Sequence, residues 1–261
     1  MKLGALLDKQ LEFQVYHYGD DADIKVFGED IPLKYIVREY ENAKKINEVY
    51  SGSVRVIDLL EIDACYGIVY EKIKGKTLLY ELEDNPVKMD EIAKKFAQVH
   101  TELHQLEMDD FQTQESYLRE EIENCIYISD EDKTKLLSQL ENLPSGTSFC
   151  HGNYHLNNVF INHKEHIMDF SNTYIGHPMS DVAKACIIMS VPRTIGGGTA
   201  KLQEEVTKLR LQFVEIYKKY YNQFGNYNQV AMDHFYKFMA VTRLNKGHEI
   251  EREWLLDLIR S

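Results

Sequence analysis

The chain has 261 residues and a mass of 30.5 kDa, which corresponds to one large domain or two small lobes. Hydrophobic residues make up 44% and charged residues 28%, an ordinary globular composition that excludes a wholly disordered chain. Because 42 acidic residues stand against 30 basic ones, the net charge is −12. This excludes a general nucleic-acid binder, since phosphate backbones are held by Lys and Arg, and it suits a cationic partner better.

Cysteine spacing and hydropathy indicate the compartment. The four cysteines form no CxxC pair, and a chain of this length buries a core without disulfides, so we interpret them as thiols in a reducing environment. The apolar stretch 3–7 ends at Asp8 after a few residues, unlike a signal peptide. No run approaches the roughly 20 apolar residues that span a bilayer. We therefore expect a cytoplasmic monomer or homodimer without a membrane partner.

The first 74 residues are predicted to form mostly strands. Aromatic and β-branched residues favour strands at 11–18, 22–27, 54–60 and 66–73. Gly19-Asp20-Asp21 is a plausible hairpin turn between the first two. Residues 35–49 have the apolar period of a helix instead. The pattern predicts a small antiparallel sheet with one helix inserted.

After Gly75 the chain is predicted to be mainly helical. Apolar residues recur at helical spacing in six segments, 87–106, 115–128, 131–143, 180–190, 200–224 and 229–259. On the first of these, His100 lies on the apolar stripe, where a core histidine is a simpler interpretation than a ligand. Segment 148–174 differs, because short apolar runs there alternate with histidines and asparagines. The whole predicts an α+β chain, with a small β-rich N-lobe over 1–74 and a larger α-helical C-lobe over 75–261.

The negative charge is concentrated in one part of the chain. Residues 81–141 contain 17 acidic and 6 basic residues, a net charge of −11, so the remainder sums to −1. One interpretation is a set of solvated helix faces. The other is an acidic wall that attracts a cationic substrate by concentrating the electric field. The second interpretation predicts a polyamine-like or quaternary cation as the small-molecule partner.

The polar segment 150–161 reads CHGNYHLNNVFI, and its apolar flanks predict a loop between short buried strands. Asp169 ends another short strand eleven residues after Asn158. An Asn amide oxygen and an Asp carboxylate are oxygen ligands of the kind that Mg²⁺ prefers. Lys25 on a strand and Glu39 on the next helix add a Lys–Glu pair, which can hold the lysine toward nucleotide phosphates.

These motifs resemble the aminoglycoside phosphotransferase and choline kinase family of small-molecule kinases. That family's catalytic loop reads HGDxxxxN, and a strand ending in a Mg²⁺-binding Asp follows it. Here the same frame reads His151-Gly152-Asn153, then Asn158, then Met168-Asp169-Phe170. Further similar motifs are IKV at 24–26, REY at 38–40, the hinge-like YEKIKGKTL at 70–78 and GHPMSDVA at 176–183. Any one of these is weak alone, but together they match in order and at compatible spacing.

The resemblance implies a two-lobed protein-kinase-like fold and a role for each matched residue. ATP or GTP would donate a phosphoryl group to a hydroxyl of a small molecule, with Mg²⁺ as cofactor. The implied roles are phosphate contact for Lys25, pairing with that lysine for Glu39, adenine contact for the backbone of Glu71 and Ile73, Mg²⁺ binding for Asn158 and Asp169, and bracing of the catalytic loop for His151. The glycine-rich loop that covers the phosphates in this family has no clear counterpart in the sequence.

One departure from the family pattern concerns catalysis. Asn153 stands where the family has its catalytic Asp, and a neutral amide orients a hydroxyl but cannot take its proton. Since general-base catalysis contributes roughly 10²–10⁴ in rate, a kinase turnover of about 1–100 s⁻¹ would fall to about 10⁻⁴–1 s⁻¹. Three cases stay open: an active kinase with altered base chemistry, for which His155 could accept the proton, a nucleotide-binding pseudokinase, or an Asn that is not the base equivalent.

Two further features have alternative interpretations. The histidines of the polar segment, His151, His155, His163 and His166, could suggest zinc, but their spacing lacks an HExxH helix or Cys partners. The run Gly196-Gly197-Gly198 precedes a helix and could cradle an anion, yet no Lys-Ser/Thr follows it. We interpret the glycine run as a mobile loop, and the alternative interpretation is that it borders the acceptor site.

Overall fold

A computed structural model describes residues 3–10, 12–192, 199–246 and 249–260. The chain divides into two units, of which unit 1 comprises Met1–Tyr80 and Asn157–Asn172 and unit 2 comprises Glu81–Leu156 and Thr173–Ser261. Unit 1 thus takes in a segment, 157–172, that the sequence-based division places in the C-lobe. The glycine run at 196–198 lies outside the described residues.

Unit 1 contains two antiparallel sheets. The larger has the order β1-β2-β3-β5-β4 and is built from β1 (Leu6–Lys9), β2 (Phe13–His17), β3 (Ala22–Phe27), β4 (Val56–Ile62) and β5 (Cys65–Glu71). The smaller has the order β6-β8-β9, with β6 (Lys76–Thr77), β8 (Val159–Asn162) and β9 (Lys164–Ile167). Strand β1 was not predicted, because its four residues are all exposed and give no alternating pattern.

Helix α1 (Leu33–Val49) lies between β3 and β4 in sequence and has the predicted apolar stripe. Its buried residues, Ile36, Glu39, Asn42, Ala43 and Ile46, recur every three or four positions and so share one face. Two of the five are polar. A buried polar side chain requires a partner, so this face carries hydrogen bonds as well as packing.

Unit 2 is helical around a short sheet of β7 (Ser148–Cys150) and β10 (Tyr174–Gly176). Its helices are α3 (Met89–His104), α4 (Gln114–Asn124), α5 (Asp130–Gln139), α6 (Pro178–Ser190), α7 (Ala200–Phe224), α8 (Gln229–Leu244) and α9 (Arg252–Arg260), while α2 (Leu78–Asp84) spans the boundary of the two units. Helix α6 is buried continuously from Met179 to Met189 and forms the centre of the unit. The predicted α+β class is confirmed.

The helix predicted over 229–259 is wrong in one respect, because it is two helices. Helix α8 ends at Leu244, and Asn245 caps it. The Asn245 side chain donates hydrogen bonds to the backbone carbonyl and to Oε2 of Glu121, 2.8 and 2.7 Å away. Asparagine competes with helical hydrogen bonds in this way and favours helix ends.

The acidic residues between 81 and 141 lie at the surface, as solvated charges require. None of the acidic side chains between 81 and 141 is buried, and most are exposed. No helix in the described parts of the chain has the length and apolar character required to cross a membrane.

Candidate active site

Lys25 and Glu39 form a buried ion pair in unit 1. Lys25 lies on β3, and its Nζ is 2.8 and 2.9 Å from Oε1 and Oε2 of Glu39 on α1. Tyr70 on β5 donates a third hydrogen bond to the same carboxylate at 2.9 Å. The side chains of Lys25 and Glu39 are only 5% and 3% exposed. The Lys–Glu pair predicted from the motifs is therefore formed.

A second carboxylate faces the same ammonium. Oδ1 of Asp169 is 3.6 Å from Nζ of Lys25, so two acidic groups share one cation. Burial alone would lower the pKa of Lys25, but Glu39 and Asp169 outweigh it and raise that pKa above its ordinary value. Burial and Asp169 also raise the pKa of Glu39, against the opposing effect of Lys25. The cluster thus has a surplus of negative charge around a lysine that stays protonated.

The backbone around Asp169 is held in an unusual conformation. Asp169 has φ of 71°, a left-handed value that is uncommon for a non-glycine residue and costs about 1–3 kcal/mol. The strand before it is fixed at Ile167, whose N–H and carbonyl bond to Gly52 and Val54. After it, Asn42 on α1 donates to the Phe170 carbonyl at 2.9 Å. The buried polar face of α1 therefore positions this turn.

Asp169 and Asn158 are brought together as predicted. Nδ2 of Asn158 lies 3.3 Å from Oδ2 of Asp169, and the Ser171 hydroxyl donates to Oδ1 at 2.9 Å. The Asp169 side chain is 16% exposed, more than Lys25 or Glu39. Both side chains offer oxygen ligands, and the Asp169 carboxylate is partly accessible. Such a pair fits a hard divalent cation such as Mg²⁺.

Glu71 and Ile73, predicted to contact adenine, stand at the end of β5. Glu71 is the last residue of that strand and pairs with Ala22 of β3. Its N–H donates to the Arg55 carbonyl, and its side chain forms an exposed ion pair with Arg55. Residues 72–75 have no regular structure. The hinge-like segment is thus irregular and directly follows the strand next to that of Lys25.

The remaining predicted residues, His151, Asn153 and His155, lie in unit 2 on the loop after β7. The backbone N–H groups of His151 and Gly152 donate to Oδ2 and Oδ1 of Asp181, at 2.6 and 3.0 Å. Gly152 has φ of 72°, which glycine adopts without steric cost. The N–H of Asn153 then donates to Nδ1 of His151 at 3.2 Å. His151 is fully buried and braces the loop from within, whereas Asn153 and His155 are partly exposed.

Asp181 is a buried hydrogen-bonding residue to which the sequence reasoning gave no role. It is fully buried on α6, and its Oδ2 also lies 3.1 and 3.3 Å from Nε2 of His100 and of His104 on α3. The other ring nitrogens of these histidines contact the hydroxyls of Tyr217 and Tyr221. One carboxylate therefore receives four N–H groups and joins α3 and α6 to the loop after β7.

The charges in this network follow from its burial. Burial and the neighbouring His104 lower the pKa of His100 to about 3, so its ring is neutral near neutral pH. Burial would raise the pKa of Asp181, but the histidines hold it well below its ordinary value. The carboxylate is thus ionised and each imidazole donates to it through Nε2–H. His100 is thus a buried histidine with both ring nitrogens hydrogen-bonded, as a core histidine requires, and it also belongs to a group with His104 and Asp181 that is close enough to hold a metal ion.

Tyr154 fixes the loop a second time. Its ring stacks on His100 with centroids 3.9 Å apart and on Phe96 with centroids 4.3 Å apart. Its hydroxyl donates to the Phe96 carbonyl at 2.8 Å. Tyr154, the residue after Asn153, is therefore fixed against α3. This contact also holds the backbone that carries the Asn153 side chain.

The alternative zinc interpretation gains no support. Among the described residues, the side chains that lie close enough together to hold a metal ion are His100, His104 and Asp181. None of the four histidines of the polar segment belongs to this group. His163 instead occupies the β8–β9 turn with φ of 59°, and His166 lies on β9.

Comparisons with known proteins agree with the fold and the motifs. The Phosphotransferase enzyme family matches residues 37–204, more than half of the chain. Similar solved structures include an aminoglycoside-3'-phosphotransferase of type VIII, with 16% identity, TM-score 0.63 and coverage of 92% of this chain and 93% of that chain. A streptomycin–ATP–APH(2'')-IIa ternary complex has 14% identity, TM-score 0.60 and coverage of 100% and 92%. A choline/ethanolamine kinase family protein from Mesorhizobium loti has 15% identity, TM-score 0.52 and coverage of 99% and 89%.

At these identities the solved structures show a shared fold, the two-lobed protein-kinase-like fold that the motifs implied. No curated protein matches the sequence. The family assignment therefore depends on the match over residues 37–204 and on the ordered motifs, which agree with each other. The chain belongs to the Phosphotransferase enzyme family.

Proposed function

We propose that the chain transfers the γ-phosphate of ATP, or of GTP, to a hydroxyl of a small cationic molecule, with Mg²⁺ as cofactor. The observation that carries this proposal is the cluster of Lys25, Glu39, Asp169 and Asn158 within unit 1. A lysine clamped by both oxygens of one carboxylate and facing a second is what a nucleotide-phosphate site requires.

Each residue of the cluster has one task. Lys25 contacts the α- and β-phosphates, and Glu39 fixes the direction of its ammonium. The backbone of Glu71 and Ile73 contacts the base. Asn158 and Asp169 would hold the Mg²⁺, which when bound neutralises charge on the transferring group. Because the pKa of Lys25 is raised, it keeps its positive charge across the physiological range.

The catalytic loop of unit 2 would orient the acceptor without removing its proton directly. The Asn153 amide accepts a hydrogen bond from the hydroxyl, but its neutral oxygen is too weak a base to take the proton. Phosphoryl transfer depends mainly on positioning and charge, so such a site is slow and not inactive. His155, also partly exposed on this loop, is the alternative proton acceptor.

Two observations favour a cationic acceptor. The exposed acidic residues between 81 and 141 give unit 2 a negative surface that attracts cations. Related structures were solved with streptomycin and with gentamicin, which carry basic groups. We assign nucleotide binding to residues 1–74 together with Asn158 and Asp169, and the catalytic loop and acceptor site to the rest of residues 75–261.

The first test is turnover of Mg-ATP and Mg-GTP by the purified protein with aminoglycosides, choline, thiamine and amino sugars. Transfer to any of them supports the enzyme. Thermal stabilisation by Mg-nucleotide with no transfer after long incubation supports a nucleotide-binding pseudokinase, which the amide at residue 153 would favour. No stabilisation and no transfer would contradict the nucleotide site itself.

The role of Asn153 has a test of its own. Asn153→Asp supplies a carboxylate at the base position and should raise transfer, or residual nucleotide hydrolysis, at least about tenfold. The matched control is Asn157→Asp, which adds the same charge on an exposed asparagine of the neighbouring turn and should leave the rate unchanged. An unchanged or lower rate in Asn153→Asp, with the fold intact, would show that residue 153 is not the base position.

A further inference from the structure

The hairpin between β1 and β2 lacks the features of a phosphate-covering loop. Such loops use glycines so that bare backbone approaches the phosphates, but residues 9–13 read KQLEF. The turn therefore offers no glycine, and it carries the acidic Glu12. Glu12 is close enough to Lys25 for its charge to contribute to the raised pKa of that lysine.

Phe13, the first residue of β2, covers Lys25. Phe13 pairs with Phe27 and Val15 pairs with Lys25, so by strand alternation these four side chains share one face of the sheet. The Phe13 ring centroid is 4.2 Å from Nζ of Lys25, and the Phe27 centroid is 5.0 Å away. At 4.2 Å the ring face attracts the ammonium directly, as in a cation–π contact.

Nζ of Lys25 is thus surrounded within unit 1 by two carboxylates and two aromatic rings. A phosphate oxygen must come within about 2.9 Å of an ammonium to form a charge-assisted hydrogen bond, and a lysine that is only 5% exposed leaves little room for it. At least one of the four neighbouring groups must therefore move when phosphate arrives.

Phe13 is the neighbour that moves most easily. Glu39 is buried and also bonded by Tyr70, and Asp169 is held by Asn158 and Ser171. Phe27 is 6% exposed and packed in the core. Phe13, by contrast, is partly exposed and lies on a hairpin whose outer strand β1 is wholly exposed.

We propose that Phe13 competes with the donor's phosphates for Lys25 and thereby sets the affinity for the nucleotide. This inference rests on the proposed function, since it assigns a determinant of donor binding to the same site. The Phe13 ring must leave Lys25 before the phosphates bind. Removal of the ring therefore strengthens nucleotide binding, whereas removal of an ordinary binding residue weakens it.

The experiment measures dissociation constants of Mg-ATP, Mg-GTP and adenosine by calorimetry for Phe13→Ala and Phe13→Leu. The leucine variant keeps apolar packing against Phe27 if the alanine variant folds poorly. Tyr16→Ala is the control, an aromatic truncation three residues along β2 and therefore on its opposite face. The same Phe13 changes in a Lys25→Met background, with folding checked by thermal melting, test whether the effect passes through the ammonium.

Loss of the cation–π contact should tighten Mg-nucleotide binding by about 2- to 30-fold in both Phe13 variants. Adenosine affinity, Tyr16→Ala and the Lys25→Met background should show no such gain. If the wild type binds Mg-nucleotide and the Phe13 variants bind it equally or more weakly, the inference is wrong while the proposed function stands. If neither the wild type nor the Phe13 variants bind Mg-nucleotide, both are overturned.

Discussion

Lys184 offers a direct test of the electrostatics of unit 2. It lies on α6 with 2% exposure, and its ammonium donates to the Tyr117 hydroxyl at 2.5 Å. No ion pair involves it among the residues that the structure describes. Burial, which the attraction of Glu121 only partly offsets, lowers the pKa of Lys184 to about 8.

The magnitude and sign follow from the difference between folded and unfolded states. A pKa lowered from 10.5 to about 8 corresponds to a destabilisation of about 3 kcal/mol. The penalty is complete below the folded pKa and disappears as pH rises toward the unfolded one, because the unfolded chain binds more protons in that window. Between about pH 7 and about pH 9.5, the wild type should recover about 2 kcal/mol of unfolding free energy.

The assay is urea denaturation across this pH range for the wild type, Lys184→Met and the control Lys94→Met, whose side chain is exposed on α3. Lys184→Met removes the charge and keeps a side chain of similar length. The unfolding free energy of this variant at pH 7 should therefore rise by about 1–3 kcal/mol, after subtraction of the lost hydrogen bond to Tyr117. The difference between wild type and Lys184→Met should shrink with rising pH. A constant difference, or one that grows, would refute the assignment of a strained buried charge.

Two further substitutions test the residue clusters of unit 1 and unit 2 separately. Asp169→Asn should abolish Mg-nucleotide binding in calorimetry while the melting temperature stays near that of the wild type; an undisturbed affinity would count against the kinase-like site. Asp181→Asn replaces one of the two acceptor oxygens with an NH₂ donor that faces buried N–H groups, and it removes the negative charge, so it should cost about 2–4 kcal/mol of unfolding free energy. Phosphoryl transfer by Asp181→Asn should also fall under conditions where the variant is still folded. An Asp181→Asn variant with full stability would disprove the anchoring role.

The sequence predicted the proximity of Lys25 to Glu39 and of Asn158 to Asp169 because their spacing is local to recognisable elements. Lys25 and Glu39 each lie on an element whose period is clear, and the distance between them follows from pairing that strand with the next helix. Asn158 and Asp169 flank a short hairpin, β8–β9, which brings them together by its length alone. Motif order was sufficient for these four.

Asp181 was missed because its role depends on contacts across long sequence separations. Its partners, His100 and the loop at His151, lie 81 and 30 residues away. In the sequence, His100 and His104 suggest only an apolar helix stripe, and Asp181 is one letter of a motif. The spacing of two histidines four residues apart on that stripe was the available signal, since a stripe facing the core needs a polar partner for each.

The buried charged residues depend closely on their neighbours. Lys25 and Asp181 are buried charges, and each is surrounded by enough opposite charge or N–H groups to offset its desolvation. Removal of any of those partners leaves a buried charge without enough groups to compensate it. Asn153 is uncharged and partly exposed, and its backbone N–H donates to Nδ1 of His151. That backbone bond does not involve the side chain, so Asn153→Asp exchanges an amide for a carboxylate of nearly the same size while this bond is kept. The substitution therefore tests whether a carboxylate at residue 153 takes the proton.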